Sequence, residues 1–204
     1  MAPMKFTRSV RYDAPAADVY AMLGDPGFRK KSAASMGVLS IDVSITPALR
    51  ASRISLRAPA ESVAALSKAL GLKLPARPKT SASAGARHAL WLGPDEWLVI
   101  DEAQADLAAL CAPVRALHSA VDISHRNTAI IVSGPGAEAV LSAGCPQNLS
   151  PAAFAKGACS RTILGKVEIV LYRTDEETFR VEVWRSFSDY AFAFLSEAAR
   201  DPAR

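Results

Sequence analysis

The sequence predicts an α+β protein with mixed, mainly antiparallel sheets and packed helices. Three observations carry this. Strand-like segments come in pairs with no more than four residues between them, as at 89–92 with 97–101 and 167–173 with 178–185. Links that short join only antiparallel strands. Helical patterns fall between these pairs in irregular order, which disfavours a doubly wound parallel sheet. The chain also closes on an amphipathic helix entered near Ser186 or Ser188, with Phe187, Tyr190, Ala191, Phe194, Leu195 and Ala198 on one face.

The elements follow in order. Residues 4–12 alternate Phe6, Val10 and Tyr12 against Lys5, Thr7, Ser9 and Arg11, a half-buried strand. Asp13 and Pro15 then open a short helix that ends at Gly24-Asp25-Pro26-Gly27. A basic segment at 28–37 precedes a strand over Val38–Ile45. Ile54 and Leu56 mark a further strand. A helix follows on Val63, Leu66 and Leu70, with Gly71 as its C-cap. Residues 75–87 have the Pro/Ser/Ala/Gly character of a surface loop. Ala89–Leu92 and Trp97–Asp101 form a hairpin around Gly93-Pro94-Asp95-Glu96. Residues 103–118 carry a helical pattern through Leu107, Leu110, Val114 and Leu117, kinked or broken at Pro113. Ala129–Val132 is a strand running into Ser133-Gly134-Pro135-Gly136 and a short helix on Val140 and Leu141. Ser150-Pro151 suits the start of another short helix. In the last hairpin Phe179, Val181 and Val183 alternate with Arg180, Glu182 and Trp184, so the latter set reads as the outward face.

Composition narrows the function classes. The chain has 204 residues, 50% apolar and 22% charged, with a net charge of +4, which fits a globular protein with an ordinary core. The charge is polarised: residues 1–90 hold 14 Lys/Arg against 5 Asp/Glu, and residues 91–204 hold 10 against 15. No apolar run reaches membrane-spanning length, and the first residues lack the apolar core of a secretory signal. The 3 cysteines, Cys111, Cys145 and Cys159, form no C-x-x-C pair and are odd in number. That argues against a disulfide framework and for a cytoplasmic setting.

The search for chemistry finds no self-sufficient constellation. His88, His118 and His125 do not pair at helical spacing, so a metal role is not supported. The cysteines read as inert core residues. Ser133-Gly134-Pro135-Gly136 lacks the phosphate-loop and dinucleotide spacings and reads as a strand-to-helix turn. Asp95 and Glu96 are neighbours on a turn, a poor arrangement for paired carboxylate catalysis. Arg29-Lys30-Lys31 with Arg50, Arg53 and Arg57 lacks aromatic interleaving, so a solvated face or a protein-facing surface is preferred to nucleic acid.

Six phrases in fixed order carry a family resemblance. They are Leu92-Gly93-Pro94-Asp95-Glu96-Trp97-Leu98-Val99, Val121-Asp122-Ile123-Ser124-His125-Arg126-Asn127-Thr128, Val132-Ser133-Gly134-Pro135-Gly136-Ala137, Gly144-Cys145-Pro146-Gln147-Asn148-Leu149, Arg161-Thr162-Ile163-Leu164-Gly165-Lys166 and Arg185-Ser186-Phe187-Ser188-Asp189-Tyr190. Together they resemble the gamma subunit of heterotetrameric sarcosine oxidase over about residues 50–200. The second and third phrases also resemble the aminomethyltransferase of the glycine cleavage system, which implies a folate-binding type of fold. Residues 1–46 resemble the opening of a START-like domain and stand apart as an N-terminal extension.

The resemblance implies a non-catalytic subunit with no cofactor and no metal of its own. FAD, FMN, NAD and tetrahydrofolate are then expected on partner subunits, which oxidise sarcosine to glycine, release peroxide and form methylene-tetrahydrofolate. The implied partners are alpha, beta and delta subunits, with no nucleic acid and no membrane. A free-standing, folate-binding aminomethyltransferase-like protein is the competing reading. Within the resemblance Asp122, Ser124, Gly134 and Gly165 take structural roles, in turns and a strand-entry loop. Arg126, Arg161, Lys166 and Arg185 are candidates for subunit contact.

Overall fold

The structure, a computed structural model, describes residues 42–200. The strand predicted over 4–12, the helix after it and the basic segment of 28–37 fall outside the described residues, as does most of the START-like stretch. Strands β1 (Ser44–Pro47) and β2 (Ser52–Arg57) come first. Helix α1 (Val63–Leu70) follows, burying Leu66 and Leu70. It ends at Gly71, whose φ of 62° lets its N–H reach back to the Lys68 carbonyl while Leu72 N–H reaches Ser67. Next come β3 (Ser81–Ala84), β4 (Arg87–Gly93), β5 (Glu96–Asp101) and α2 (Leu107–Cys111). Asp106 caps α2 by accepting from Ala109 N–H at 2.9 Å. The chain continues through β6 (Ser119–Asp122), β7 (Asn127–Ser133), α3 (Ala137–Ser142), β8 (Cys159–Leu164), β9 (Val167–Asp175), β10 (Thr178–Trp184) and α4 (Ser188–Ala198).

The strands form two five-stranded antiparallel sheets, ordered β1-β7-β10-β9-β8 and β3-β4-β5-β2-β6. Period-two alternation sorts side chains into three cores. On the first sheet Val132, Ile169, Leu171, Phe179, Val181 and Val183 pack with Val140, Leu141, Ala191 and Leu195 of α3 and α4. On the second, Ile54, Leu56, Ala89, Trp97 and Val99 pack with Leu66, Leu70, Leu107 and Cys111 of α1 and α2. The inner faces meet through Leu90, Leu98 and Ile100 against Cys159, Val170 and Tyr172. The layers therefore run helix, sheet, sheet, helix.

Several sequence expectations shift. The helical pattern over 103–118 shrinks to Leu107–Cys111, because Pro113 supplies no N–H and restricts the residue before it. Leu117 beyond it is 76% exposed. Within the loop-like stretch 75–87 lies β3, a short edge strand on β4. Residues 119–122 form β6, which pairs with β2. After Ser150 there is one turn, closed by Ala153 and Phe154 N–H groups on the Ser150 carbonyl, and no helix. Of the strand predicted over 38–45, residues 38–41 lie outside the described residues; a strand stands at Ser44–Pro47, with Pro47 tolerated on a sheet edge. The supposed outward face of β10 is covered at two of three positions: Arg180 and Glu182 are 3% and 1% exposed.

Candidate functional site

The inner faces hold a buried ionic cluster that sequence alternation assigned to solvent. Glu182 on β10 accepts from Arg53 Nε at 2.6 Å and Nη2 at 3.1 Å, across the gap from β2. Its Oε1 also accepts from Arg180 Nε at 2.7 Å. Arg180 Nη1 continues to Glu102 at 2.7 Å, and Arg53 Nη1 donates to the Ala51 carbonyl. Arg53, which the sequence groups with a solvated or protein-facing basic surface, is 3% exposed and committed to this cluster. Beside it His88 rests against Tyr172, and burial pulls the imidazole pKa below its ordinary value, ahead of opposing effects from the nearby carboxylates.

At one margin of the sandwich Arg161 reaches across from β8 to Glu96 on β5, with Nη2 2.5 Å from Oε1. Arg57 approaches the same carboxylate at 3.2 Å. The hydrogen bond from Arg161 holds the Glu96 carboxyl below its usual range and raises the guanidinium in return. Arg161 is thus a clasp between the two sheets of this chain. Lys166 is exposed in the β8–β9 turn, where its N–H donates to the Tyr190 hydroxyl at 3.2 Å.

Arg126 and Arg185 meet at one end of the molecule, where Arg185 N–H donates to the Arg126 carbonyl at 2.7 Å. The Arg126 guanidinium lies 5.2 Å from the centroid of the Trp184 ring, and Trp184 stacks on Phe187 at 6.0 Å. Both rings are well exposed, at 43% and 40%. Sequence reasoning placed Phe187 on the packed face of the last helix. It lies instead in the 3₁₀ turn Arg185–Phe187 that precedes α4, and this turn rotates it outward. The motifs holding Arg126 and Arg185-Ser186-Phe187 carried the sequence signal for this patch.

The structural-motif residues occupy tight backbone positions. Asp122 Oδ1 accepts from Ser124 N–H at 2.8 Å and from its hydroxyl at 2.5 Å. These bonds hold the Asp122 carboxyl below its ordinary pKa. Ser124 Oγ in turn accepts from Arg53 N–H at 2.8 Å, extending the β2–β6 ladder by one side chain. Gly134 has φ of 113°, and a Cβ there would sit 2.7 Å from the Asp42 carbonyl oxygen. That oxygen also takes Gly136 N–H at 3.0 Å, so the turn is closed by the chain itself, with no cradle for a phosphate. Gly165, at φ 58°, forms the β8–β9 turn directly against the Tyr190 hydroxyl.

The remaining chemistry-bearing side chains lie apart. All three cysteines are buried and free. Burial pushes Cys159 up to about 12 and raises Cys111 as well, which disfavours thiolate chemistry. Among the described residues no three His, Cys, Asp or Glu side chains gather as metal ligands. No helix among them is long and apolar enough to cross a membrane.

Two antiparallel sheets back to back, with helices outside and ionic rather than catalytic groups between, define a protein of the aminomethyltransferase-type fold. Aminomethyltransferase T of the glycine cleavage system from Bartonella henselae matches 78% of this chain and 49% of its own, with a TM-score of 0.56 at 14% identity. The model of the Sarcosine oxidase, gamma subunit family matches residues 55–201, and the chain belongs to that family. It is 34% identical over 138 residues to sarcosine oxidase subunit gamma from Corynebacterium sp. (strain P-1), covering 66% of this chain and 68% of that one. The same identity and shares hold for sarcosine oxidase subunit gamma from Arthrobacter sp.. A chain of heterotetrameric sarcosine oxidase from Corynebacterium sp. U-96, solved with pyrrole 2-carboxylate, matches with a TM-score of 0.75 and 27% identity, over 86% of this chain and 93% of that chain.

Proposed function

We propose that this chain is a non-catalytic, assembly-stabilising subunit of a sarcosine oxidase heterotetramer, joined to alpha, beta and delta subunits. In this reading FAD, FMN, NAD and tetrahydrofolate belong to those partners, and the complex works in the cytoplasm. Residues 50–200 form the working domain, extended at its start by β1, and residues 1–46 are otherwise an appendage. Asp122, Ser124, Gly134 and Gly165 shape its turns.

The observation that carries the reading is the Trp184–Phe187 stack with Arg126 upon it, displayed on a chain of the gamma subunit family that is similar to a chain of a heterotetrameric sarcosine oxidase. Exposed Trp and Arg in one cluster are the residue types that dominate subunit contacts. Neither Arg126 nor Arg185 forms an ion pair with a described carboxylate, which leaves both cations available to an acidic surface on a partner subunit. Arg161 already serves Glu96, and Lys166 lies at the margin.

Co-expression with the candidate alpha and beta chains tests this. The chain should co-purify with them, and Trp184→Ala with Arg126→Ala should weaken retention at least tenfold while leaving the melting temperature of the free chain nearly unchanged. A chain that never co-purifies, and whose omission leaves flavin loading and activity intact, overturns the reading.

A further inference from the structure

A cleft of about 450 Å³ opens where the β1–β2 connection, the residue Gln104, the Ser124-His125 turn and the end of β10 converge. Its lining contains Arg50, Arg53, Arg185 and His125 and not one Asp or Glu. The Arg53 guanidinium is spent on Glu182, but Arg50 and Arg185 are exposed and have no carboxylate partner among the described residues. A concave surface with one sign of charge concentrates the positive potential inside it.

One further side chain bears on the cleft. Asn127, at its base, is 7% exposed; its Oδ1 accepts from Arg126 Nε at 3.2 Å, and its amide nitrogen donates to no described group. Asn127 is among the lining residues, so its amide can serve as a donor to a ligand oxygen in the cleft.

We infer that this cleft binds a small polar oxyanion, a carboxylate or a phosphate, gripped by Arg50 and Arg185 and completed by the Asn127 amide. Guanidinium forks match the paired oxygens of both groups. The lining has no Phe, Tyr or Trp, so an aromatic ring finds no stacking surface and the ligand is compact. The site goes beyond the subunit reading and shares only Arg185 with it, so the Arg50 and Asn127 variants separate the two.

The test is calorimetric titration of the full chain with sodium succinate and, separately, with inorganic phosphate, in about 0.15 M salt so that loose surface charge is screened. Saturable one-site binding in either arm supports the site, and the arm that responds identifies the carboxylate or the phosphate source. Arg50→Gln and Arg185→Gln should each weaken it at least tenfold and Asn127→Ala severalfold, whereas Lys68→Gln, which removes a cation on α1, should not. Far-UV circular dichroism and melting curves verify that the variants fold, and Arg185→Lys should restore part of the affinity. No binding of either anion by wild type up to about 10 mM overturns the inference. So does equal binding by all variants, or a signal that follows ionic strength alone.

Discussion

Glu96 begins β5 and answers cations from two other strands, Arg57 on β2 and Arg161 on β8. Its folded carboxyl sits below the ordinary value of 4.5, chiefly through the Arg161 hydrogen bond. A depressed carboxylate contributes stability above its unfolded pKa and loses it as the pH falls through the folded one. The stability gap between wild type and Arg161→Gln should therefore be full at neutral pH and close in acid, below pH 4.5. Because the pair is partly solvated, the full gap is below about 1 kcal/mol. Urea denaturation at a series of pH values reads it; a gap that persists in acid means that Arg161 acts through packing instead. Cys159 makes the opposite case. With its thiol pushed up to about 12 by burial, it should resist alkylation at pH 8 in the native chain and react only on unfolding, as mass spectrometry after iodoacetamide treatment would show. The sequence reading of the cysteines as inert rested on the absence of a motif. The reading of Arg53 failed because a strand cation carries no local mark of a partner 129 residues away.

The helix-to-sheet joint of α4 shows how much an element depends on two glycines. Gly144 accepts Gly165 N–H on its carbonyl at 2.9 Å, and a Cβ on Gly144 would fall 2.6 Å from the Phe194 ring. Gly165 combines φ of 58° with the Tyr190 hydroxyl overhead. Gly165→Ala should destabilise the chain by about 1–3 kcal/mol, from both the left-handed backbone and the overlap. Tyr190→Phe removes the overlapping oxygen, so the same change in that background should cost less, leaving mainly the backbone part. A double-mutant cycle by urea denaturation measures the difference. Additive effects would mean that the helix shifts rather than collides. At this scale the sequence was informative wherever one face met the core. Helix α1 lies at Val63–Leu70, where the spacing put it, and Gly71 closes it. The hairpins β4–β5 and β9–β10 are also as read. Edge strands β3 and β6 escaped because Ser81–Ala84 and Ser119–Asp122 have few large apolar residues, and only neighbouring strands make them sheet.

Across the whole molecule, two-sided burial of the sheets separates fold from sequence pattern. Alternation identifies one covered face; a second sheet laid over the polar face leaves no period-two signature when the meeting residues are ionic. The Arg53–Glu182–Arg180 cluster lies where β2 and β10 face one another, and its Arg53–Glu182 pair bridges the two sheets. A single carboxylate binds two guanidiniums, each 3% exposed, so its loss strands Arg53 without a carboxylate away from water and leaves Arg180 held by Glu102 alone. Glu182→Leu should therefore destabilise the chain by about 3–5 kcal/mol. Desolvation of the cluster itself is expensive, so replacing all three members, Arg53→Met and Arg180→Met with Glu182→Leu, should recover most of that loss. Glu102 does not stand in the way, since its side chain is 49% exposed and returns to water when Arg180 is gone. Urea denaturation of the full chain compares wild type, single and triple variants. Recovery in the triple variant locates the penalty of the single one in stranded charge, whereas a triple variant as weak as the single would show that the ions themselves hold the two sheets together. Retention of the triple variant by partner subunits then reports whether the sheets keep their mutual setting, because the Trp184 patch lies at the end of β10, two residues beyond Glu182.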